Sequence, residues 1–239
     1  TVSDEEYDLV IADPPYNNCI EDEWDNQWQS DEEYLSWLGK RFQEFARVLK
    51  STGNLLVYCK RQFHHHIKLI LDKILEEQRS IVWVRRRMMD VTRGKTLASG
   101  YEPIVWYTKS VDYFFNSDGA KVPPKKHLRH RKEYQRGGRL EKGVGLTDAW
   151  TDISALPHNS KEKLNHPTQK PLALSKRIVK IFCPRDGKVF VPFGGSGSEI
   201  EACKFYDIGW EATEINENYC NLIRERIKVS QKSLKKWFD

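Results

Sequence analysis

An aspartate followed by two prolines and a tyrosine, Asp13-Pro14-Pro15-Tyr16, is the constellation in this sequence best suited to chemistry. Two prolines fix φ and remove two N–H donors, so the backbone there presents carbonyls that accept hydrogen bonds. A carboxylate beside such a carbonyl is a receptor for an NH₂ group. An aryl amine is a poor nucleophile because its lone pair is delocalised into the ring. Two acceptors that each hold one N–H favour a pyramidal nitrogen, whose lone pair can attack a methyl group. Tyr16 adds a flat face on which a base can stack. Taken alone, the tetrad describes a receptor for amines or amides in general. It also fits a strand end stopped by Pro-Pro with an aromatic packed beneath.

A second constellation is the turn Phe193-Gly194-Gly195-Ser196-Gly197, between an apolar run (Lys188 to Val191) and a helical pattern (Ser198 to Tyr206). Strand, glycine turn and helix open a nucleotide-binding unit: glycines let a ligand approach the backbone, and the helix N-terminus offers free N–H groups. Glu214 stands 17 residues past Gly197, near the spacing at which an acidic residue takes ribose hydroxyls. The glycine turn is not followed by Lys-Ser/Thr, and the one Gly-Lys-Thr in the sequence, Gly94-Lys95-Thr96, has Met89 where a Walker phosphate loop needs its first glycine, so that loop is excluded. The ligand class is then an adenosine with a non-phosphate tail, or a dinucleotide.

These turns need elements to hold them. Tyr7 to Ala12 reads as a buried parallel strand that the prolines stop. Ser30 and Glu33 have capping-box spacing, and Tyr34, Leu35, Leu38, Phe42, Phe45 and Leu49 form one helical face that Gly53 ends. Asn54 to Tyr58, Ser80 to Val84 and Glu102 to Thr108 read as strands. Phe63, Ile67, Ile70, Leu71 and Ile74 mark a helix between the first two of these. Pro167 to Phe182 reads as a helix, Gly209 to Glu214 as a strand, and a final amphipathic helix starts near Glu217. This alternation predicts a doubly wound α/β sheet.

From Gly119 to Asn165 the periodicity fades. Lys121 to Lys142 holds nine Lys or Arg against Glu133 and Glu141, a segment of +7 in a chain of +5. With 239 residues, one sizeable α/β core fits better than two domains. The basic stretch therefore reads as an insertion. No run of about 18 apolar residues is present, so no membrane span is expected. The polar opening Thr1 to Asp8 predicts no secretion signal. Five scattered cysteines without a CxxC predict a reduced, cytoplasmic setting and no zinc site. The run His64-His65-His66 spreads around a helix and does not converge on a metal.

Three landmarks occur in order: Asp13-Pro14-Pro15-Tyr16, then His166-Pro167-Thr168-Gln169-Lys170-Pro171, then Phe193-Gly194-Gly195-Ser196-Gly197. With Asp148-Ala149-Trp150-Thr151-Asp152-Ile153 before the second, the chain resembles the amino-group DNA methyltransferases from about Tyr7 to Ile227. The resemblance is to their permuted β subgroup, in which the catalytic motif precedes the cofactor motif. It implies an α/β Rossmann-like methyltransferase fold with a mixed doubly wound sheet, as one domain over residues 1–239. A basic insertion at 110–165 would recognise the target. S-adenosylmethionine would be the cofactor and double-stranded DNA the partner, as in restriction–modification systems, and the resemblance also admits a homodimer.

On that resemblance Asp13, Pro14, Pro15 and Tyr16 are catalytic. Asp13, Thr168, Gln169, Lys170, Phe193, Gly194, Gly195, Ser196, Gly197 and Glu214 would bind the cofactor, with Lys170 on its methionine carboxylate and Glu214 on its ribose. Arg85, Arg86, Arg87, Arg93, Lys125, Lys126, Arg129, Arg131, Arg136 and Arg139 would meet DNA, from which the target base is flipped out. Aspartate at the head of the tetrad goes with adenine N6. Cytosine N4, an RNA or protein amine, and a catalytically silent DNA-binding homologue are the alternatives. Methylation at cytosine C5 needs a thiolate, commonly in Pro-Cys, and this sequence has only the reverse order at Cys183-Pro184. One departure stands out: Val191 occupies a position where the family usually has aspartate, which removes a polar group near the cofactor's methionine end.

Overall fold

The computed structural model describes residues 3–85, 95, 97–124 and 139–235, the side chains of 139, 140 and 229–235 excepted. Strand β1 (Tyr7–Ala12) is buried along its whole length, which explains why the sequence shows an apolar run and no alternation there. Helix α1 (Asp31–Val48) follows, then β2 (Leu49–Tyr58), α2 (His64–Leu71), β3 (Glu76–Val84) and β4 (Tyr101–Thr108). The middle of the chain holds short pieces: β5 (Lys121–Val122), α3 (Arg139–Lys142), β6 (Val144–Gly145) and β7 (Ala149–Trp150). Regular structure resumes with α4 (Leu172–Phe182), β8 (Lys188–Val191), α5 (Ser198–Phe205), β9 (Gly209–Ala212) and α6 (Glu217–Lys235).

Seven strands form one sheet in the order β7-β3-β4-β2-β1-β8-β9. The sheet is mixed: β4 runs antiparallel to β2 and β3, and the other pairs are parallel. Two apolar clusters cover its faces. Val10 and Ala12 of β1, with Leu55 and Val57 of β2, pack against α1 and α2. Leu9, Ile11, Leu56 and Tyr58 pack against α4, α5 and α6. This is the doubly wound, Rossmann-like arrangement that the alternation of elements predicts.

What matters for the site is the centre of the sheet. β1 leads across α1 to β2 on one side, and β8 leads across α5 to β9 on the other. β1 and β8 are themselves paired, Leu9 with Val189 and Val10 with Phe190. The carboxyl ends of these two strands therefore open a crevice at the switch point, where ligands of such sheets bind. Asp13 leaves one lip and Pro192 the other. β5 and β6 form a separate two-stranded sheet, and β7 adds to the edge of the main one beside β3.

Several boundaries differ from the sequence reading. Ser30 caps α1 through Glu33 N–H (3.2 Å), but Glu33 reaches back to the N–H of Gln29, not Ser30. Leu49 is not the last residue of that helical face. It is already extended (φ −75°, ψ 133°) and pairs with Tyr7. Gly53 does not end the helix either: it lies inside β2, where a Cβ would fall 2.7 Å from Leu49 Cδ1. The helix expected from Pro167 starts at Leu172, with Pro171 as its N-cap, because a proline disfavours helical backbone at the residue before it. β9 ends at Ala212, so Glu214 sits in the turn beyond it. β3 starts four residues earlier than the apolar run suggests, at Glu76.

Asn54 ties these layers together. Its amide oxygen accepts from the Trp106 indole N–H (2.8 Å), and its NH₂ donates to the carbonyls of Phe114 and Phe182. Asn54 itself is fully buried. Asn54→Ala orphans one donor and two acceptors, each costing roughly 1–3 kcal/mol when left unpaired. We expect a net loss of about 3 kcal/mol in chemical denaturation, and a loss below about 1 kcal/mol would contradict the role.

Candidate active site

The crevice at the β1–β8 switch point is a cleft of about 1140 Å³, walled by Asp13 to Tyr16, His166, Thr168, Lys170, Pro192 to Ser196 and Glu214, among others. All three sequence landmarks meet there, although Asp13 and Gly195 lie at opposite ends of the chain.

At its floor is a charge cluster. The Lys170 ammonium lies 2.7 Å from Asp13 Oδ2 and 3.0 Å from Glu102 Oε1, with Tyr16 Oη at 3.3 Å. It also sits over the rings of Tyr58 (4.7 Å) and Tyr16 (5.2 Å). Tyr16 Oη is 2.9 Å from Asp13 Oδ1 and 2.5 Å from Glu102 Oε1. A phenol has one proton, so only one of these carboxylates can receive it at a time. The Lys170 side chain is only 5% exposed. Burial alone would depress its pKa, but the two carboxylates outweigh this and hold the ammonium well above the usual lysine range. Asp13 moves the other way from most ion-paired acids. Burial raises its carboxyl to about 6, opposed by Lys170 and reinforced by the negative charges of Glu102 and Glu199.

The tetrad is held from behind. Tyr34 of α1 donates to the Pro15 carbonyl (2.7 Å), whereas no donor among the described residues reaches the Pro14 carbonyl. Asp25, buried, accepts from the N–H groups of Tyr16, Cys19 and Ile20. It thereby folds the acidic loop after the tetrad against the cleft. Asn17 and Asn18 take left-handed backbone (φ 53° and 57°) to make that turn, which asparagine tolerates better than most residues.

The opposite wall is the glycine turn. Gly195 has φ +49°, and a Cβ there would lie 3.2 Å from His166 Nε2. Gly194 has no room for one either, with Ile223 Cδ1 at 2.9 Å. Glu214 accepts from the N–H groups of Gly195 (2.7 Å) and Asn216 (2.8 Å). The His166 ring packs on Tyr219 at 4.5 Å. Burial first, then the nearby Lys170 and Lys163, push its pKa down to about 4. It is therefore neutral at pH 7, and its Nδ1 is a buried polar atom without a hydrogen-bond partner.

Two of the expected ligand-binding residues sit elsewhere. The Gln169 side chain turns away from the cleft and clamps its own loop, accepting from Leu164 N–H and donating to the Glu162 carbonyl. Gly197 is the left-handed N-cap of α5, beneath Ile223. Val191 is in the apolar core and pairs with Ala212. Among the DNA-contact candidates, Arg85 is tied to Ser99 at the end of β3. Arg86, Arg87, Arg93, Lys125, Lys126, Arg129, Arg131 and Arg136 lie outside the described residues, as does the side chain of Arg139. Trp37 and Arg41 of α1, Glu199 of α5 and the buried Glu102 are site residues that the sequence reading missed. Trp37 and Arg41 were legible only as surface positions of an amphipathic helix. Among the described residues, no group of three His, Cys, Asp or Glu could hold a metal, and no helix is long and apolar enough to cross a membrane.

Comparison with known proteins matches this architecture. A family model described as DNA methylase matches residues 7–225. The chain is 30% identical over 235 residues to the DNA adenine methyltransferase YhdJ of Escherichia coli, covering 95% of this chain and 78% of that protein. It is 28% identical over 223 residues to the type II methyltransferase M.HpaI of Haemophilus parainfluenzae, covering 92% and 68%. Against three type II methyltransferases it spans 55% to 68% of their lengths. Two solved structures share the fold: M1.HpyAVI in complex with SAM (TM-score 0.61, 22% identity, 92% of this chain and 89% of that one), and the cytosine-N4-specific PvuII DNA methyltransferase (TM-score 0.69, 15% identity, 92% and 78%).

Removing the Lys170 charge should expose how much the cluster depends on it. Lys170→Met leaves the part-buried Asp13 and the buried Glu102 with one phenol proton between them, a loss of about 3 kcal/mol at pH 8. Without the ammonium, the folded Asp13 carboxyl rises above its wild-type value of about 6, further above its unfolded value, so stability returns as pH falls through that raised value toward the ordinary carboxylate range. Chemical denaturation at pH 8 and pH 5 checks this, and a deficit equal at both would contradict it.

Proposed function

The chain belongs to the N6/N4 DNA methylase family, and from that premise we propose that it methylates the exocyclic amine of a flipped-out base in double-stranded DNA, adenine N6, with S-adenosylmethionine as donor. The observation that carries the reading is the pair of acceptors at the end of β1. Asp13 offers a carboxylate and Pro14 a carbonyl that no described residue uses, while the neighbouring Pro15 carbonyl is taken by Tyr34.

The cleft suits the donor. Gly194 and Gly195 admit no side chain, so the wall there is bare backbone, and the buried Nδ1 of His166 is a polar atom still lacking a partner. Glu214, Thr168 and the backbone of Phe193 to Ser196 line the same wall and would hold the adenosine and methionine portions. When bound, S-adenosylmethionine supplies an electrophilic methyl group on a sulfonium. Lys170 is engaged by Asp13 and Glu102, so its role in this reading is to support the catalytic carboxylate.

Asp13 and the Pro14 carbonyl each take one N–H of the target amine and localise the nitrogen lone pair. As the N–C bond forms and the C–S bond breaks, the nitrogen becomes cationic and must shed a proton. Asp13 accepts it: a carboxylate near 6 is a better base than an ordinary one. The Tyr16 ring, its hydroxyl fixed by Asp13 and Glu102, offers the face on which the base stacks. The basic stretch within residues 110–165 supplies phosphate contacts and target recognition, with Arg85 at its flank.

Adenine is favoured by Asp13 at the head of the tetrad and by likeness to an adenine methyltransferase at 30% identity. Radiolabelled methyl transfer to duplex DNA tests the activity, and sequencing of the modified DNA gives base and atom. We expect N6-methyladenine; N4-methylcytosine would overturn the base assignment, and cofactor binding without transfer to DNA would overturn the reaction. Asp13→Ala should cost roughly 10²–10⁴-fold in rate. In the wild-type protein kcat/KM should fall below pH 6, because protonated Asp13 cannot take the amine's proton.

A further inference from the structure

Glu102 is a buried acid to which the reading above gives only contacts with Tyr16 and Lys170 and no part in the chemistry. It stands near the start of β4, opposite Trp83 of β3, and is 8% exposed. A carboxylate in such a place is costly unless it is paired. Its partners are the two groups that also hold Asp13: Lys170 at 3.0 Å and Tyr16 Oη at 2.5 Å.

We propose that Glu102 is a positioning residue that makes Asp13 a stronger base by claiming the Tyr16 proton and sharing the Lys170 ammonium. This rests on the amine-methylation reading and specifies how its base is prepared. The geometry supports it in two ways. Tyr16 Oη is closer to Glu102 (2.5 Å) than to Asp13 (2.9 Å), so the phenol donates to Glu102. Its oxygen then turns lone pairs toward Asp13 Oδ1, where a protonated Asp13 finds an acceptor and an ionised one finds repulsion. The ammonium is likewise divided between two carboxylates, so Asp13 is only partly neutralised. Both effects favour proton uptake by Asp13 at the moment the methylated nitrogen releases one. The proton moves from nitrogen to Asp13, and no other bond changes.

The other groups facing Asp13 are accounted for. Lys170 from the hexad loop lowers its pKa, while Glu102 from β4 and Glu199 from α5 raise it. The phenols of Tyr16 and Tyr58 stay neutral, held well above the usual tyrosine range by burial. Glu199 is in turn held by the Ser175 hydroxyl at 2.9 Å. Besides Asp13 itself, Glu102 is therefore the one acid among the described residues in direct contact with both Tyr16 and Lys170.

The test is Glu102→Gln in the full chain. With the charge removed, Tyr16 donates to Asp13, Lys170 pairs with Asp13 alone, and the Asp13 carboxyl becomes more acidic. ¹³C NMR titration of carboxyl-labelled aspartate in the cofactor-free protein, with Asp13 assigned through Asp13→Asn, should show its midpoint falling by about one unit or more. In methyl transfer, kcat should drop about tenfold, the acid limb of kcat/KM should move to lower pH, and KM for the donor should stay within about twofold. Glu102→Asp, which keeps the charge, should leave the midpoint nearer wild type. A midpoint unmoved or raised in folded Glu102→Gln overturns the proposal, as does an unchanged kcat. Should Glu102→Gln not fold, a Glu102→Asp variant whose Asp13 midpoint falls by about one unit or more despite the retained charge would overturn it equally. The titration needs no DNA, so it stands apart from whether the wild-type protein methylates DNA at all.

Discussion

One ammonium, that of Lys170, lies between the buried carboxylate of Glu102 and the part-buried one of Asp13, and the site's geometry depends on that arrangement. Asp13 follows directly on β1, Glu102 lies near the start of β4, and Lys170 comes from a loop more than 60 residues later. None of the three charges could be buried alone at tolerable cost. Their meeting fixes where the hexad loop must run. That loop is shaped for the purpose: Gln169 clamps it to Leu164 and Glu162, Glu162 caps the first N–H of α4, and Ser198 holds the Lys170 carbonyl. Gln169, expected at the ligand, is thus spent on holding Lys170 in place.

The same logic explains why the glycine turn lies opposite the tetrad. Pairing of β1 with β8 sets the two strand ends side by side, and crossovers leaving in opposite directions keep the space above them open. Glu214 then folds back onto Gly195 N–H, and Arg226 of α6 bonds the Ser196 carbonyl, the Ser198 hydroxyl and Glu201. Val191, where the family usually has aspartate, lies within the apolar layer under this turn. In this chain the polar character of the wall comes from His166, Glu214 and backbone N–H groups.

The sequence made the three landmarks legible because each depends on local backbone chemistry. Proline pairs stop strands, glycines open turns, and an acid follows at a set spacing. Strand cores were legible as unbroken apolar runs. Glu102 was not, because an acid in an otherwise apolar strand looks like an exposed edge residue until Lys170 is placed beside it. Asp25 looked like one more charge in an acidic loop, although it organises three N–H groups. Gly53 read as a helix stop, but its need for glycine comes from Leu49 folding back over it, a contact no local pattern encodes. The helix start at Leu172 was missed because Pro167 also suits a first turn, and only the tertiary demand on Lys170 decides between the two prolines.

Charge is distributed along the chain in a way that bears on the substrate. The cleft wall carries six carboxylates, Asp13, Asp22, Glu23, Asp25, Glu199 and Glu214, against Arg41 and Lys170, in a protein whose net charge is +5. A phosphate backbone is therefore repelled from the cleft itself. A neutral base on its sugar can enter where its phosphates cannot, which suits a nucleotide extruded from the duplex. A cationic donor is drawn in by the same field, and its neutral product, having lost the sulfonium charge, is held less strongly. On the proposed reading, Glu199 belongs to both effects: it lines the acidic wall that sorts substrate from backbone, and together with Glu102 it adds to the burial that raises Asp13 toward 6.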